Sequence, residues 1–159
     1  MIYIVYLCKQ IRQVKKKAMK STILSILLSF ICFSAYSQSE GPFKGHIYNK
    51  EYKVSMRINL YDNDIKIPGQ EIFGEIAGFL RSDDDSRCWI ITSAEVNEKK
   101  HTANLEIIND YGSEDLTATL SYNPKDSVYT LKQNAGSTIK IARNRKWVKL
   151  PSTMQFKRK

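Results

Sequence analysis

Tyr52–Leu60, YKVSMRINL, alternates without a break. Tyr52, Val54, Met56, Ile58 and Leu60 are apolar, and Lys53, Ser55, Arg57 and Asn59 between them are polar. Successive side chains of an extended chain point to opposite faces, so this pattern is a strand with one face buried and the other in water. A core-facing helix would place its apolar residues three and four apart instead.

The same reading extends along the chain. Phe43–Tyr48 is a short strand before it, and Asp62, Asn63 and Asp64 supply turn chemistry after it. Ile65–Ile67 is a short strand ended by Pro68 and Gly69. Glu71–Leu80, EIFGEIAGFL, reads as a strand with Gly74 and Gly78 on one side, where they would let it bend around a core or leave room for a ligand. Ser82–Ser86 is a polar loop. Trp89–Val96, Ala103–Ile108 and Leu116–Tyr122 are further strands, separated by the charged turn Asn97–His101 and the polar cluster Asn109–Asp115. Asn123–Asp126, with Pro124 second, is a β-turn. Ser127–Gln133 and Ser137–Ala142 read as a hairpin across Asn134, Ala135 and Gly136, and Trp147–Leu150 and Met154–Lys157 close the chain around Pro151. A helix over Ser113–Leu120, capped by Ser113, competes with the strand there; the alternation of Thr117, Ala118 and Thr119 favours the strand.

About eight to ten short strands at regular spacing predict an all-β fold, a single antiparallel β-barrel or sandwich. Short connections favour antiparallel neighbours, because parallel ones need long crossovers. The expected core comprises Val54, Met56, Ile58, Leu60, Ile76, Trp89, Ile91, Leu105, Ile107, Leu116, Leu120, Leu131, Ile139 and Ile141.

Before these strands lies Met19–Ser37, MKSTILSILLSFICFSAYS, which reads as a secretory signal peptide. Lys20 gives the positive start, Ile23–Phe33 the apolar stretch, and Ala35 and Ser37 the small residues before a cut at Gln38. The apolar stretch is shorter than the about 20 residues that cross a bilayer. Ile31 and Ser29 before Cys32 do not suit a lipidated cysteine. Residues 1–18 precede a second Met that opens a complete signal, and they read either as a long n-region or as a start assigned too early; the second is favoured. The expected organisation is therefore 1–18 upstream segment, 19–37 signal peptide and 38–159 one β-domain, exported to the periplasm or beyond.

The leader changes the composition of what remains. Six of the 25 basic residues precede Ser37 and all 16 acidic ones follow it, so the formal charge falls from +9 for the chain to +3 for Gln38–Lys159. Two of the three cysteines go with the leader, leaving Cys88 without an intramolecular partner; beside Trp89 in a strand it reads as a small buried hydrophobe.

Catalytic and metal patterns are weak. Only His46 and His101 are present, and no G-x-S-x-G elbow accompanies them. The acids at Asp62 and Asp64 and at Asp83–Asp85 do not follow a calcium loop, and zinc spacing is missing, so neither a metal nor a cofactor is expected. Asp110, Glu114 and Asp115 share one loop, and Glu75 projects from a strand; paired carboxylates of this kind serve glycoside cleavage.

Charge is uneven. Lys132–Lys159 holds nine Lys and Arg and no acid, while Gln38–Leu131 carries a net of −6. The unusual feature is Arg143, Arg145, Lys146 and Trp147, cations beside an aromatic, which make the candidate ligand-binding residues. Nucleic acid is an improbable partner for an exported chain; an anionic envelope glycan or an acidic protein suits it better. Internal pairing with acidic strands, with Trp147 in the core, is the structural alternative and the favoured account of the charge asymmetry.

The ending SAYSQ of the leader, the segment EIFGEIAGF and the closing GSTIKIARNRKWVKLP resemble small exported β-domain proteins of Gram-negative bacteria that lack assigned activity. The layout is similar to calycin-type barrels and to compact periplasmic inhibitors of lysozyme. The resemblance implies a small barrel; the inhibitors' cleft-entering loop, with its Ser or Lys, has no match here. The resulting expectation is a non-enzymatic binding protein for a ligand, envelope glycan or protein partner, with a small hydrolase of envelope carbohydrate, using loop carboxylates, as the alternative. N-terminal sequencing of the exported protein is expected to begin at Gln38 or within a residue or two; a secreted protein that retains Met1 overturns the leader.

Overall fold

The computed structural model describes residues 41–159. The expected leader, its cut before Gln38 and the segment 1–18 lie outside the described residues. Ten strands form: β1 (Lys44–Asn49), β2 (Val54–Asn59), β3 (Gly78–Ser82), β4 (Cys88–Asn97), β5 (Thr102–Asn109), β6 (Asp115–Asn123), β7 (Val128–Gly136), β8 (Lys140–Arg143), β9 (Lys146–Lys149) and β10 (Thr153–Arg158). Eight of them close an antiparallel barrel in the order β1-β10-β7-β6-β5-β4-β3-β2, and β8 and β9 make a separate ribbon. The fold is therefore all-β, and of the two expected architectures it is the barrel.

Neighbours in sequence are neighbours in the sheet because the turns are short and locally held. Between β4 and β5 a single 3₁₀ turn, Glu98–Lys100, is capped by the Asn97 side chain, which accepts from the Lys100 N–H, and ends on His101 with φ of 49°. Between β6 and β7 the Asn123 side chain accepts from the Lys125 N–H at 3.1 Å. Asp115–Leu120 is strand, not helix, as the alternation required.

An eight-stranded barrel is just wide enough to be filled by its own side chains. Val54, Met56, Ile58, Ile91, Leu105, Leu120 and Leu131 point inward and are buried, and every member of the expected core is buried. Phe43, Ile47, Tyr129, Met154 and Phe156 complete the interior. One end is sealed by Phe43 and Leu60, joined through the Leu60 N–H, with the Tyr129 hydroxyl donating to the Pro42 carbonyl at 2.7 Å. At the other end Ile139, Ile141 and Leu150 of the β8–β9 region enter the same core.

Three expectations are corrected. Glu71–Leu80 is not one strand. Glu71–Phe73 is a 3₁₀ turn, Gly74 has φ of 63°, and the strand begins only at Gly78. Residues 60–77 instead fold back over the outside of the barrel, with one bridge between Ile65 and Ile76. Ile67 and Ile76 cover Phe79, Cys88 and Ile90 there as a second, smaller apolar cluster. This is why Ala77–Leu80 and Cys88–Ile91 read as unbroken apolar runs: both of their faces are buried. Ile76 is thus buried outside the barrel rather than within it.

Secondly, Gly74 and Gly78 share no strand face. A Cβ on Gly78 would lie 2.4 Å from the Arg57 carbonyl oxygen, so this glycine permits close approach of β2 and β3 rather than ligand room. Thirdly, Asn134–Gly136 are not a hairpin loop. They stay in β7, paired with β6 as far as Leu116 opposite Gly136, and the partner of β8 is β9. The turn between those two is Asn144 and Arg145, with φ of 51° and 62°. Two central residues with positive φ give the tight hairpin turn whose twist matches the strands.

Gly78→Ala is expected to destabilise the fold by about 2 kcal/mol or more, because the added methyl meets backbone that cannot rotate away. Urea unfolding of the two proteins measures it, and an unchanged midpoint would refute the close-approach role.

Candidate functional site

An isolated two-stranded hairpin is marginal in water, so the order of β8–β9 must come from what fastens it. The Trp89 indole N–H, inside the barrel, donates to the Lys140 carbonyl at 2.9 Å. The Lys140 ammonium pairs with Glu114 of the β5–β6 loop, both side chains being about 30% exposed. The Arg143 guanidinium donates to the Tyr52 carbonyl in the β1–β2 turn. The Arg87 guanidinium lies 4.3 Å from the centre of the Trp147 ring and is itself held by both oxygens of Asp85, at 2.9 and 3.1 Å. The hairpin is therefore tied to three loops and to the core.

Between the hairpin and these loops opens a cleft of about 490 Å³. Trp89 and Ile141, both buried, form its floor. Trp147 from β9 and Tyr111 from the β5–β6 loop line it while remaining 59% and 71% exposed. The Tyr111 loop is preset: the Asn109 side chain accepts from the Ser113 N–H at 2.9 Å, and Gly112 turns with φ of 66°. Cations line the cleft at Arg81, Arg87, Lys140 and Lys149, and carboxylates at Asp85, Asp110 and Glu114.

Each of those carboxylates has a structural partner. Asp85 holds Arg87, Glu114 holds Lys140, and Asp110 accepts from the Cys88 N–H at 3.1 Å. Asp115 and Glu75 do not line the cleft, and Glu75 pairs with Lys66 on the surface. Neither histidine lines it: His101 ends the turn at the opposite end of the barrel, and His46 is on the outer side of β1. Among the described residues no group of three or more His, Cys, Asp or Glu is placed to hold a metal ion, and no helix is long and apolar enough to cross a membrane.

The four residues singled out from the sequence are not brought to one spot. Trp147 lines the cleft and is exposed, which overturns its reading as a core residue. Arg143 is turned onto the Tyr52 carbonyl and serves as a fastener. Arg145 and Lys146 stand exposed at the hairpin tip, outside the cleft lining. Of the basic run Lys132–Lys159, only Lys140 forms an ion pair among the described residues, so internal pairing does not account for the charge asymmetry. Sequence reasoning missed Tyr111 and Arg87, and the candidate set leaves out Lys149, which belongs to the same basic run. The available signals were Gly112 beside Tyr111, and Asn144-Arg145 as a two-residue turn that sets Trp147 opposite Ala142.

Compared with protein-family models, curated proteins and solved structures, the chain matches none at a significant level.

Cys88 is buried beneath the 60–77 segment, as its sequence context suggested. Burial, followed by the nearby Asp110 charge and opposed by Arg81, pushes its thiol up to about 11 from an ordinary 9.0. Only the thiolate is nucleophilic, so the native thiol is expected to react with a disulfide reagent at pH 8 orders of magnitude more slowly than the urea-unfolded chain. The folded state also binds more protons than the unfolded state between those two values. Stability from this group is accordingly complete below about pH 9 and is lost as pH rises toward about 11. Cys88→Ala should flatten that part of the pH–stability curve; equal native and unfolded labelling rates would overturn the assignment.

Proposed function

We propose that the chain is an exported, non-enzymatic binding protein whose end-of-barrel cleft takes an anionic glycan. The observation that carries this reading is Trp147 and Tyr111, two exposed aromatics lining one cleft rimmed by fixed charges. The face of a sugar ring presents C–H groups with slight positive charge, and an aromatic face is electron-rich, so the two stack while the hydroxyls reach the rim. Lys149 within the cleft, with Arg145 and Lys146 at the hairpin tip, favours a ligand carrying carboxylate or phosphate. Export rests on the leader and the envelope destination on the same reading.

A hydrolase would use the carboxylates of the same cleft. Binding is preferred because Asp85, Asp110 and Glu114 are each engaged in holding the fold. An acidic protein partner would meet the same cations but gives no role to a recessed aromatic cleft.

Titration with an acidic polysaccharide and a neutral one, followed by calorimetry, tests the reading. Trp147→Ala is expected to weaken acidic-polysaccharide binding at least tenfold, as removal of a buried aromatic contact does. Arg145→Gly, which suits the positive φ of that turn, should leave the hairpin intact and reduce the salt dependence. Unchanged affinity in Trp147→Ala overturns the site, and release of reducing ends over time favours the hydrolase.

A further inference from the structure

The outer face of β1, β2 and β3 carries a concentration of positive charge unrelated to the cleft's aromatics. His46 on β1 is directly opposite Arg57 on β2, and Arg57 is in turn opposite Phe79 on β3, two residues from Arg81. Cross-strand partners have Cβ atoms about 4.5–5.5 Å apart and diagonal ones about 7–8 Å, within reach of long side chains. The C-terminal Lys159 is brought to the same place by its N–H, which donates to the His46 carbonyl at 2.9 Å. These four basic residues line one groove of about 600 Å³.

Arg57 and Arg81 are diagonal neighbours on adjacent strands, close enough for their charges to converge. Among the described residues, Arg57, Arg81 and Lys159 form no ion pair. The acids that also line the groove come from the β3–β4 loop at one edge. Asp85 is held by Arg87, Asp83 accepts from the Tyr48 hydroxyl at 2.7 Å, and Asp84 is exposed. The Arg81 and Lys159 cations contact the Phe79 and Tyr48 rings, with ring centres 5.6 and 5.0 Å away, so aromatic faces rather than carboxylates position them.

We infer that this groove is a binding site for a phosphate group, held by Arg57, Arg81 and Lys159 with His46 as a fourth, titratable donor. Guanidinium forks match the oxygens of phosphate, and several converging cations suit a dianion better than a single carboxylate. In the unliganded protein His46 is held below the usual imidazole range. Burial is the first cause, then Arg57 and Lys159, with Arg81 adding to them and Asp83 opposing. A bound anion reverses the electrostatic part, so binding and protonation of His46 reinforce each other.

Only two histidines are present in the chain, so proton NMR resolves both, and His101 is an internal control. Inorganic phosphate at constant ionic strength is expected to raise the His46 midpoint by about one pH unit, equivalent to tenfold tighter binding by the protonated form. Acetate should do less, and His101 should not move. Arg81 and Asp85 line both this groove and the cleft, so the controls separate the groove from the cleft's aromatics: Arg57→Gln and Lys159→Gln, at exposed positions, should each abolish most of the response, whereas Trp147→Ala should leave it intact. Co-flotation with phosphatidylcholine vesicles, with and without phosphatidic acid, asks whether a lipid headgroup supplies the phosphate. Binding to either source supports the site. An unmoved His46 midpoint with no flotation overturns it, as does a phosphate response that survives both substitutions.

Discussion

A tryptophan inside a barrel must find an acceptor for its indole N–H, and Trp89 finds the Lys140 carbonyl of the hairpin that lies over the barrel's end. The net gain from such a bond is about 1 kcal/mol, but a buried N–H left unpaired costs about 1–3 kcal/mol. The barrel therefore cannot release the hairpin without penalty, nor can the hairpin swing away without uncovering Ile139, Ile141 and Leu150. The ion pair of Lys140 with Glu114 and the bond from Arg143 to Tyr52 then fix its tilt against the neighbouring loops. The cleft exists because a hairpin too short to be stable alone is held off the loops by defined contacts rather than collapsed onto them.

The second constraint acts on the outer faces of β3 and β4. An eight-stranded barrel buries one face of each strand, yet Phe79 of β3 and Cys88 and Ile90 of β4 are apolar residues on the outer face. The 60–77 segment resolves this by covering Phe79, Cys88 and Ile90 with Ile67 and Ile76. That layer hides Cys88, the one thiol among the described residues, in a desolvated setting. It also leaves β1 and β2 uncovered beside it, which is where the basic outer groove is found.

What could be read from the sequence was whatever depends on local alternation. β6 declares itself, because its buried Leu116, Ala118 and Leu120 recur at every second position; β2 keeps Val54, Met56 and Ile58 at the same spacing, although Ser55 and Asn59 between and beside them are buried too. The EIFGEIAGF segment misleads for a physical reason. Its apolar residues belong to different surroundings: Ile72 is 90% exposed, Ile76 packs outside the barrel, and Phe79 lies beneath the covering segment. No single periodicity describes a chain that turns at Gly74 and changes partners at Gly78. The hairpin was misassigned because Gly136 resembles a loop residue, whereas its φ of 92° and its tight approach to Asp115 mark the point where the chain leaves the barrel. Likewise the run from Arg143 to Trp147 is compact in sequence and dispersed in space. A two-residue turn sends alternate side chains to opposite faces, so one cation fastens, two stand in solvent and the aromatic alone reaches the cleft.

Trp147 is the residue on which the cleft's chemistry turns, and its exposure has to be reconciled with the cost of leaving so large an apolar surface in water. Arg87 provides the reconciliation. Its guanidinium, held by donating to both oxygens of Asp85, lies against the indole and restrains the ring without burying it. An aromatic restrained before a ligand arrives loses little rotational freedom when the ligand binds, and a loop held by Asn109 does the same for Tyr111. Had the sequence selected only for stability, a smaller or polar residue at 147 would complete the hairpin equally well. Under the proposed reading, two large aromatics held in place and left in water are the surfaces on which a ligand would stack.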